Sequence, residues 1–202
     1  MVSPNEAFQV LLEVTRVLEE LDVPYVVGGS LASSLHGIPR STQDADLVAA
    51  LRADHIQPFI GRVDGSFYLS PERVEAAVRR RTSFNLIHLK TMIKVDLFVL
   101  SEAPLAKQEM ARRQILPIPG EPEAHLQVAS PEDTILQKLL WYRKGGGVSE
   151  RQWNDILGVI KVQGRALDLG YLKEWAERSG IEDLLAQAFA DSGMGDVRPA
   201  GA

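Results

Sequence analysis

The spacing of hydrophobic residues divides the chain into two stretches. In the first, short apolar runs alternate with helical patterns, and in the second only helical patterns remain. Over residues 4–21, Ala7, Val10, Leu11, Val14, Val17 and Leu18 recur at the period that places them on one face of an α-helix. Ser3-Pro4-Asn5-Glu6 supplies its start signal: a capping hydroxyl, a proline whose missing N–H costs nothing in the first turn, and a glutamate at the capping-box position. The same device opens a helix at Ser70-Pro71-Glu72, running to residue 80, and another at Ser130-Pro131-Glu132-Asp133, running to about residue 143. Residues 24–27, 45–49, 83–89 and 93–100 are short and rich in apolar or β-branched side chains, the pattern of buried strands, and 114–118 and 125–128 give weaker strand signals. Beyond Ser130 helices are expected over 131–143, 149–162, 168–178 and 181–190.

Pro117, Pro119, Gly120 and Pro122 crowd the stretch before that change and read as a connector that continues neither helix nor central strand. The expected architecture is therefore an α/β (α+β) fold: a catalytic domain with a mixed β-sheet over 1–120 and a helical C-terminal region over 121–202. Its end, from about Asp191, reads as a frayed tail of Gly, Pro and small residues.

Composition narrows the function. With 45% hydrophobic and 24% charged residues the chain has apolar surface enough to offset its conformational entropy. A formal charge of −5 argues against a dedicated nucleic-acid coat. Arg79, Arg80 and Arg81, and separately Arg112 and Arg113, are the local basic clusters, and such runs are usually solvated helix faces. The absence of cysteine removes disulfides, thiolate metal sites and cysteine nucleophiles. No basic, apolar leader opens the chain and no apolar run approaches the roughly 20 residues that span a bilayer, so a cytoplasmic protein without a membrane partner is expected.

Three features carry candidate chemistry. In Tyr25-Val26-Val27-Gly28-Gly29-Ser30 an apolar strand runs into two glycines and a serine before a short helix over 31–35. Such a turn lets the backbone come close to a phosphate, with amides at the helix start and the Ser30 hydroxyl as donors, although a plain strand-to-helix turn would look the same. Asp44-Ala45-Asp46 follows, continued by apolar Leu47-Val48-Ala49. On a strand, residues i and i+2 share a face, so both carboxylates project together at roughly 7 Å between Cα atoms, where they can share a divalent cation. The alternative is a turn-capping Asp44 and a solvated Asp46. Asp96 interrupts the apolar run 93–100, and a carboxylate there needs a partner: a metal, or Lys94 two residues away on the same face. Together, three carboxylates and a Gly-rich turn are what metal-assisted phosphoryl or nucleotidyl transfer requires.

In Gly28-Gly29-Ser30, Asp44-x-Asp46 and Asp96 the sequence resembles the nucleotidyltransferase superfamily with the polymerase-β-like fold. The run GGSLASSLHGIPRSTQDADL is similar to bacterial proteins of the AbiEii toxin group and DUF6036-type families, over roughly residues 20–160. The resemblance implies that Gly29 and Ser30 hold an NTP triphosphate and that Asp44 and Asp46 bind Mg2+ or Mn2+. Asp96 would contact metal and activate the acceptor. Arg40 and Thr42 precede Asp44 and would touch phosphate or shape the loop. Lys138, on a helix that resembles the lysine-bearing helix of AbiEii-like proteins, would neutralise phosphate; its alternative is a lysine lying over apolar neighbours. Asp155 stands where those toxins carry an RDxxD-like helix, but the preceding Gln152-Trp153-Asn154 departs from that pattern.

The expected activity is transfer of a nucleoside monophosphate to an acceptor hydroxyl with loss of pyrophosphate. An RNA end, a protein side chain or a small molecule such as an aminoglycoside or lincosamide all remain open as acceptor, and an antitoxin is a partner the resemblance admits. A non-catalytic nucleotide-binding or partner-binding module and a metal-dependent phosphoesterase are the competing readings. The loop Lys144-Gly145-Gly146-Gly147 lacks the lysine–hydroxyl ending of a phosphate loop. His36 and His88 are expected to be structural, and Trp141, Trp153 and Trp175 to be core.

Overall fold

The computed structural model describes residues 4–42 and 44–194. The Ser3 cap and the tail from residue 195 onward lie outside the described residues. The elements run α1 (Pro4–Glu20), β1 (Tyr25–Val27), α2 (Gly29–His36), β2 (Asp44–Ala49), α3 (Ile56–Val63), β3 (Phe67–Tyr68), α4 (Pro71–Arg80), β4 (Ser83–His88), β5 (Lys94–Val99), α5 (Pro104–Arg112), β6 (Gln114–Ile118), β7 (Glu121–Val128), α6 (Pro131–Lys144), α7 (Glu150–Gln163), α8 (Leu169–Ser179) and α9 (Glu182–Asp191). Among the described residues no helix is long and apolar enough to cross a membrane.

The chain forms two compact units. One holds the residues up to Leu31 together with Arg40–Ala129, and the other holds Ala32–Pro39 together with the residues from Ser130. The first is built on a seven-stranded mixed sheet in the order β3-β4-β5-β2-β1-β7-β6. β2 runs parallel to β5 and antiparallel to β1, while β7 joins β1 in parallel. Alternation along the strands assigns the faces: Ala45, Leu47 and Ala49 on β2, Val95, Leu97 and Val99 on β5, and Phe84 and Leu86 on β4 are buried. Leu11, Val14 and Leu18 of α1 and Phe59 of α3 are equally inaccessible, and the Phe59 ring meets that of Phe84 edge-on at 6.2 Å. On the other face α5 sets Met110 in one cluster with Val26 and Ala129, with Val48 and Leu100 packed against it. The part of that face carrying Asp44 and Lys94 stays accessible.

The segment 117–122, expected as a connector, is the tip of the β6–β7 hairpin, with Ile118 opposite Glu121 and Gly120 at φ +85° in the turn. Pro117 is tolerated because β6 is an edge strand. β7 thus belongs with the sheet unit, whose chain runs to Ala129. The α3, β3 and α5 elements have no counterpart in the sequence reading: α3 runs unbroken through Pro58 and Gly61, residues that read as helix breakers, and β3 is two residues long.

In the second unit Ile135, Leu136 and Leu139 of α6, Ile156, Val159 and Ile160 of α7, and Leu172 and Ala176 of α8 are buried. Gly37, just past α2, meets α7 at a close approach: a Cβ there would lie 2.7 Å from the Val159 nitrogen and 2.8 Å from the Gly158 carbonyl carbon. Because those atoms are backbone and cannot swing aside, Gly37→Ala is expected to cost about 1–3 kcal/mol, as overpacking does. Urea unfolding of the variant measures it, and an unchanged midpoint would mean that the approach is loose.

Trp175 is buried and Trp153 stacks on Tyr142 at 4.9 Å, but Trp141 is 47% exposed with Lys144 over its ring at 4.7 Å, so it is not core. The side chain stands on the exposed side of α6, where the cation of Lys144 one turn along lies over its ring.

Candidate active site

The Gly28-Gly29-Ser30 turn sits where β1 ends and α2 begins, and β2 passes directly beside it. The Gly28 N–H donates to the Asp46 carbonyl at 3.0 Å, locking turn to strand. Gly29 has φ +57°, a region open to glycine at little cost. The space a side chain would take is filled: an ideal Cβ on Gly29 would lie 1.8 Å from Asp46 Oδ2. The carboxylate therefore lies against bare backbone, beside the amides that open α2. Ser30 Oγ accepts from the Arg40 guanidinium at 2.5 Å, and Arg40 also donates to the Ser41 carbonyl at 3.3 Å. Thr42 is buried and its hydroxyl donates to the Asp44 carbonyl at 3.0 Å, so it shapes the entry to β2.

The three aspartates stand on one face of two neighbouring strands. In the parallel β2–β5 register Asp46 is opposite Asp96, and Asp44 is opposite Lys94. Asp44 and Asp46 alternate with buried Ala45 and Leu47, as their i, i+2 spacing demands. The Lys94–Asp96 pairing weighed from sequence is present: Lys94 Nζ lies 2.8 Å from Asp96 Oδ2 and also 3.6 Å from Asp44 Oδ1. The hydrogen bond to Asp96 is the main cause holding the Lys94 ammonium above its ordinary pKa, against the opposing effect of desolvation, with the charges of Asp96 and Asp44 adding to it. The Asn85 side-chain amide on β4 donates to the other oxygen of Asp96. Asn85 escaped sequence reasoning because only the β4–β5 register, Asn85 opposite Asp96, brings it there. Glu109 on α5 was missed too: it is buried, with Oε1 3.9 Å from the position of a Cβ on Gly28.

Among the described residues no group of three or more His, Cys, Asp and Glu side chains is gathered to hold a metal ion. The donor set nonetheless suits a hard divalent cation in kind. Asp46 and Asp96 are register partners, and carboxylate pairs completed by phosphate oxygens and water are the usual Mg2+ environment.

Lys138 belongs to the other unit, on α6, where it is buried and its Nζ donates to Asp155 Oδ2 of α7 at 2.8 Å. It is therefore an ion-paired lysine rather than one lying over apolar neighbours. In the same unit the buried Asp133 accepts from Tyr171 Oη at 2.5 Å and from Ser130 Oγ at 2.7 Å. Of the basic clusters, Arg81 donates to the Leu100 carbonyl at 2.9 Å and pairs with Glu102 at 2.6 Å, and Arg113 donates to Gln127 and to the Met110 carbonyl. His88 is buried against Phe67 at 5.2 Å with Thr91 at 2.8 Å, a structural placement.

Against protein-family models and curated proteins the sequence has no match. Solved structures do match. The chain is similar to the crystal structure of an antigenic nucleotidyltransferase-like protein from Paracoccidioides brasiliensis, with a TM-score of 0.59 and 18% identity over 94% of each chain. It is similar to the solution structure of the antibiotic-resistance factor ANT(2'')-Ia, with a TM-score of 0.58 and 13% identity over 93% of this chain and 100% of that one. It is also similar to the lincosamide antibiotic adenylyltransferase LnuA with lincomycin bound, with a TM-score of 0.52 and 14% identity over 80% of this chain and 98% of that one. The mixed sheet and its helices thus form a nucleotidyltransferase-like fold.

Proposed function

We propose that the protein transfers a nucleoside monophosphate from an NTP to an acceptor hydroxyl, with pyrophosphate leaving. The observation that carries this reading is the contact of the Asp46 carboxylate with the bare backbone of Gly29, one strand from Asp96. A carboxylate set against a phosphate-accepting turn suits an ion that is shared between protein and triphosphate, which a solvated surface aspartate would not explain.

In this reading the amides of the Gly28-Gly29-Ser30 turn and the Ser30 hydroxyl receive the triphosphate, and Arg40, already on Ser30, adds positive charge. Asp44, Asp46 and Asp96 would hold Mg2+ or Mn2+, which when bound neutralises charge on the phosphate oxygens. Asp96, held by Asn85, accepts the proton of the acceptor hydroxyl. The acceptor oxygen then bonds to the α-phosphorus while the bond to the bridging oxygen breaks, and pyrophosphate departs with that electron pair. Lys138 would contribute to phosphate neutralisation only by leaving Asp155. Kinship with AbiEii-type toxins, and with it an antitoxin partner, belongs to the same proposal and rests on the residue run around the motif. The named antibiotic targets of the similar structures keep a small hydroxylated acceptor beside RNA ends and proteins.

Incubation of the protein with each α-labelled NTP, Mg2+ and either total RNA or small hydroxylated acceptors tests the reading. Covalent label is expected with the parent chain and is expected to fall at least about 10²-fold in the Asp44→Ala/Asp46→Ala double variant, in line with loss of a charge-stabilising group. One observation favours a second reading, a nucleotide-binding module without turnover: Lys94 already pairs with Asp96 and lies near Asp44. NTP binding with neither label nor pyrophosphate would establish that reading in place of transfer, and release of free NMP would indicate hydrolysis.

A further inference from the structure

The sheet face that carries the aspartates also carries its own cation. Lys94 Nζ reaches Asp96 Oδ2 at 2.8 Å and Asp44 Oδ1 at 3.6 Å, so one ammonium spans both strands of the cluster. Its side chain remains 41% exposed, on a flexible stem able to swing toward solvent. Asp96 keeps a second holder, the Asn85 amide, and stays oriented when the lysine leaves. We propose that Lys94 is a resident cation that excludes divalent metal from Asp44 and Asp96 until a nucleotide brings its phosphate oxygens. The inference rests on those carboxylates being the metal ligands of the proposed reaction.

The physical basis is competition. Three carboxylates on adjacent positions repel one another, and a monovalent ammonium at hydrogen-bonding distance relieves part of that repulsion without any metal. A divalent ion that enters alone must break the Lys94 contacts and lose water, for which Mg2+ is reluctant. An ion that enters with a triphosphate gains additional oxygen ligands, which offset the loss of the lysine. Metal and nucleotide thereby bind with positive coupling, and the nucleotide-free protein stays metal-poor. Reciprocity requires that whatever nucleotide does for metal affinity, metal does for nucleotide affinity.

The test is Mn2+ binding to the full chain without nucleotide, followed by electron paramagnetic resonance of the free ion or by titration calorimetry. Lys94→Met is expected to bind Mn2+ at least about tenfold tighter than the parent, a change of about 1.4 kcal/mol. Lys94→Arg, which keeps the charge, is expected to match the parent, and adding Asp46→Asn to Lys94→Met is expected to remove the gain. Lys94→Gln serves as a second neutral variant if the methionine variant does not fold. A non-hydrolysable NTP is expected to tighten Mn2+ binding more in the parent than in Lys94→Met. Equal or weaker Mn2+ binding by the neutral variants, or a gain that survives Asp46→Asn, overturns the proposal. The readout needs no turnover: a gain in affinity without covalent labelling would sink nucleotidyl transfer and leave the resident cation standing, and labelling without the gain would do the reverse.

Discussion

Gly29→Ala is expected to lose stability by about 1–3 kcal/mol and nucleotide transfer by about 10²-fold. Two effects combine. At φ +57° a residue with a side chain is strained, and the new methyl would fall 1.8 Å from Asp46 Oδ2, 2.5 Å from its Cγ and 2.8 Å from its Cβ. The last of these atoms is fixed to the backbone of β2, so rotating the carboxylate away does not remove the clash. Asp46 must move, and with it the alignment to Asp96 across the strand pair. Gly28→Ala is the internal control, because a Cβ there meets only Glu109 Oε1, at 3.9 Å, an ordinary contact. Chemical unfolding and single-turnover labelling of the two variants decide the matter. Equal behaviour would show that the turn relaxes freely and that its closeness to Asp46 carries no weight.

Lys138→Ala is expected to be the most destabilising of these single changes, by about 3–5 kcal/mol. The lysine and Asp155 side chains are only 9% and 6% exposed, and their contact is 2.8 Å. Removing the cation takes its counter-charge from the buried Asp155 carboxylate, which costs far more than the pair itself contributes. The double replacement Lys138→Met/Asp155→Leu is expected to recover most of the loss, since an apolar pair of similar volume avoids desolvating either charge. Thermal or urea unfolding measures both. If Lys138→Ala instead unfolds like the parent while its triphosphate affinity drops, the ion pair is incidental and the phosphate-neutralising role gains.

Features set by local chemistry were legible in the chain. The serines at 70 and 130 each accept from the amide three residues on, at 3.3 and 3.1 Å, because capping depends on nearest neighbours. The common face of Asp44 and Asp46 follows from strand parity alone. What depended on partners far along the chain was not legible. That Lys94 would reach Asp44 as well as Asp96 requires β2 and β5 to be parallel neighbours, and Asn85 reaches Asp96 only through the β4–β5 register. Lys138 shows the same limit: its own helix suggests an amphipathic lysine, whereas the fold pairs it with Asp155, 17 residues on. The 117–122 stretch misled because prolines exclude central strands but not an edge hairpin.

The division of the chain has a consequence for how the protein is made. Residues 32–39 emerge early but belong with the unit that resumes at Ser130, and beyond the nearby Ser33 carbonyl the close backbone neighbours of Gly37 are Gly158 and Val159, far along the chain. During synthesis the β1–β7 pairing likewise waits for Val128 to meet Val27, so the sheet cannot be completed from its first strands alone. Such long sequence separations slow folding and lengthen the exposure of unpaired strand edges. No single cut separates the two units, and a fragment ending at Ala129 would carry every strand of the described residues yet leave the 32–39 segment without the rest of its unit.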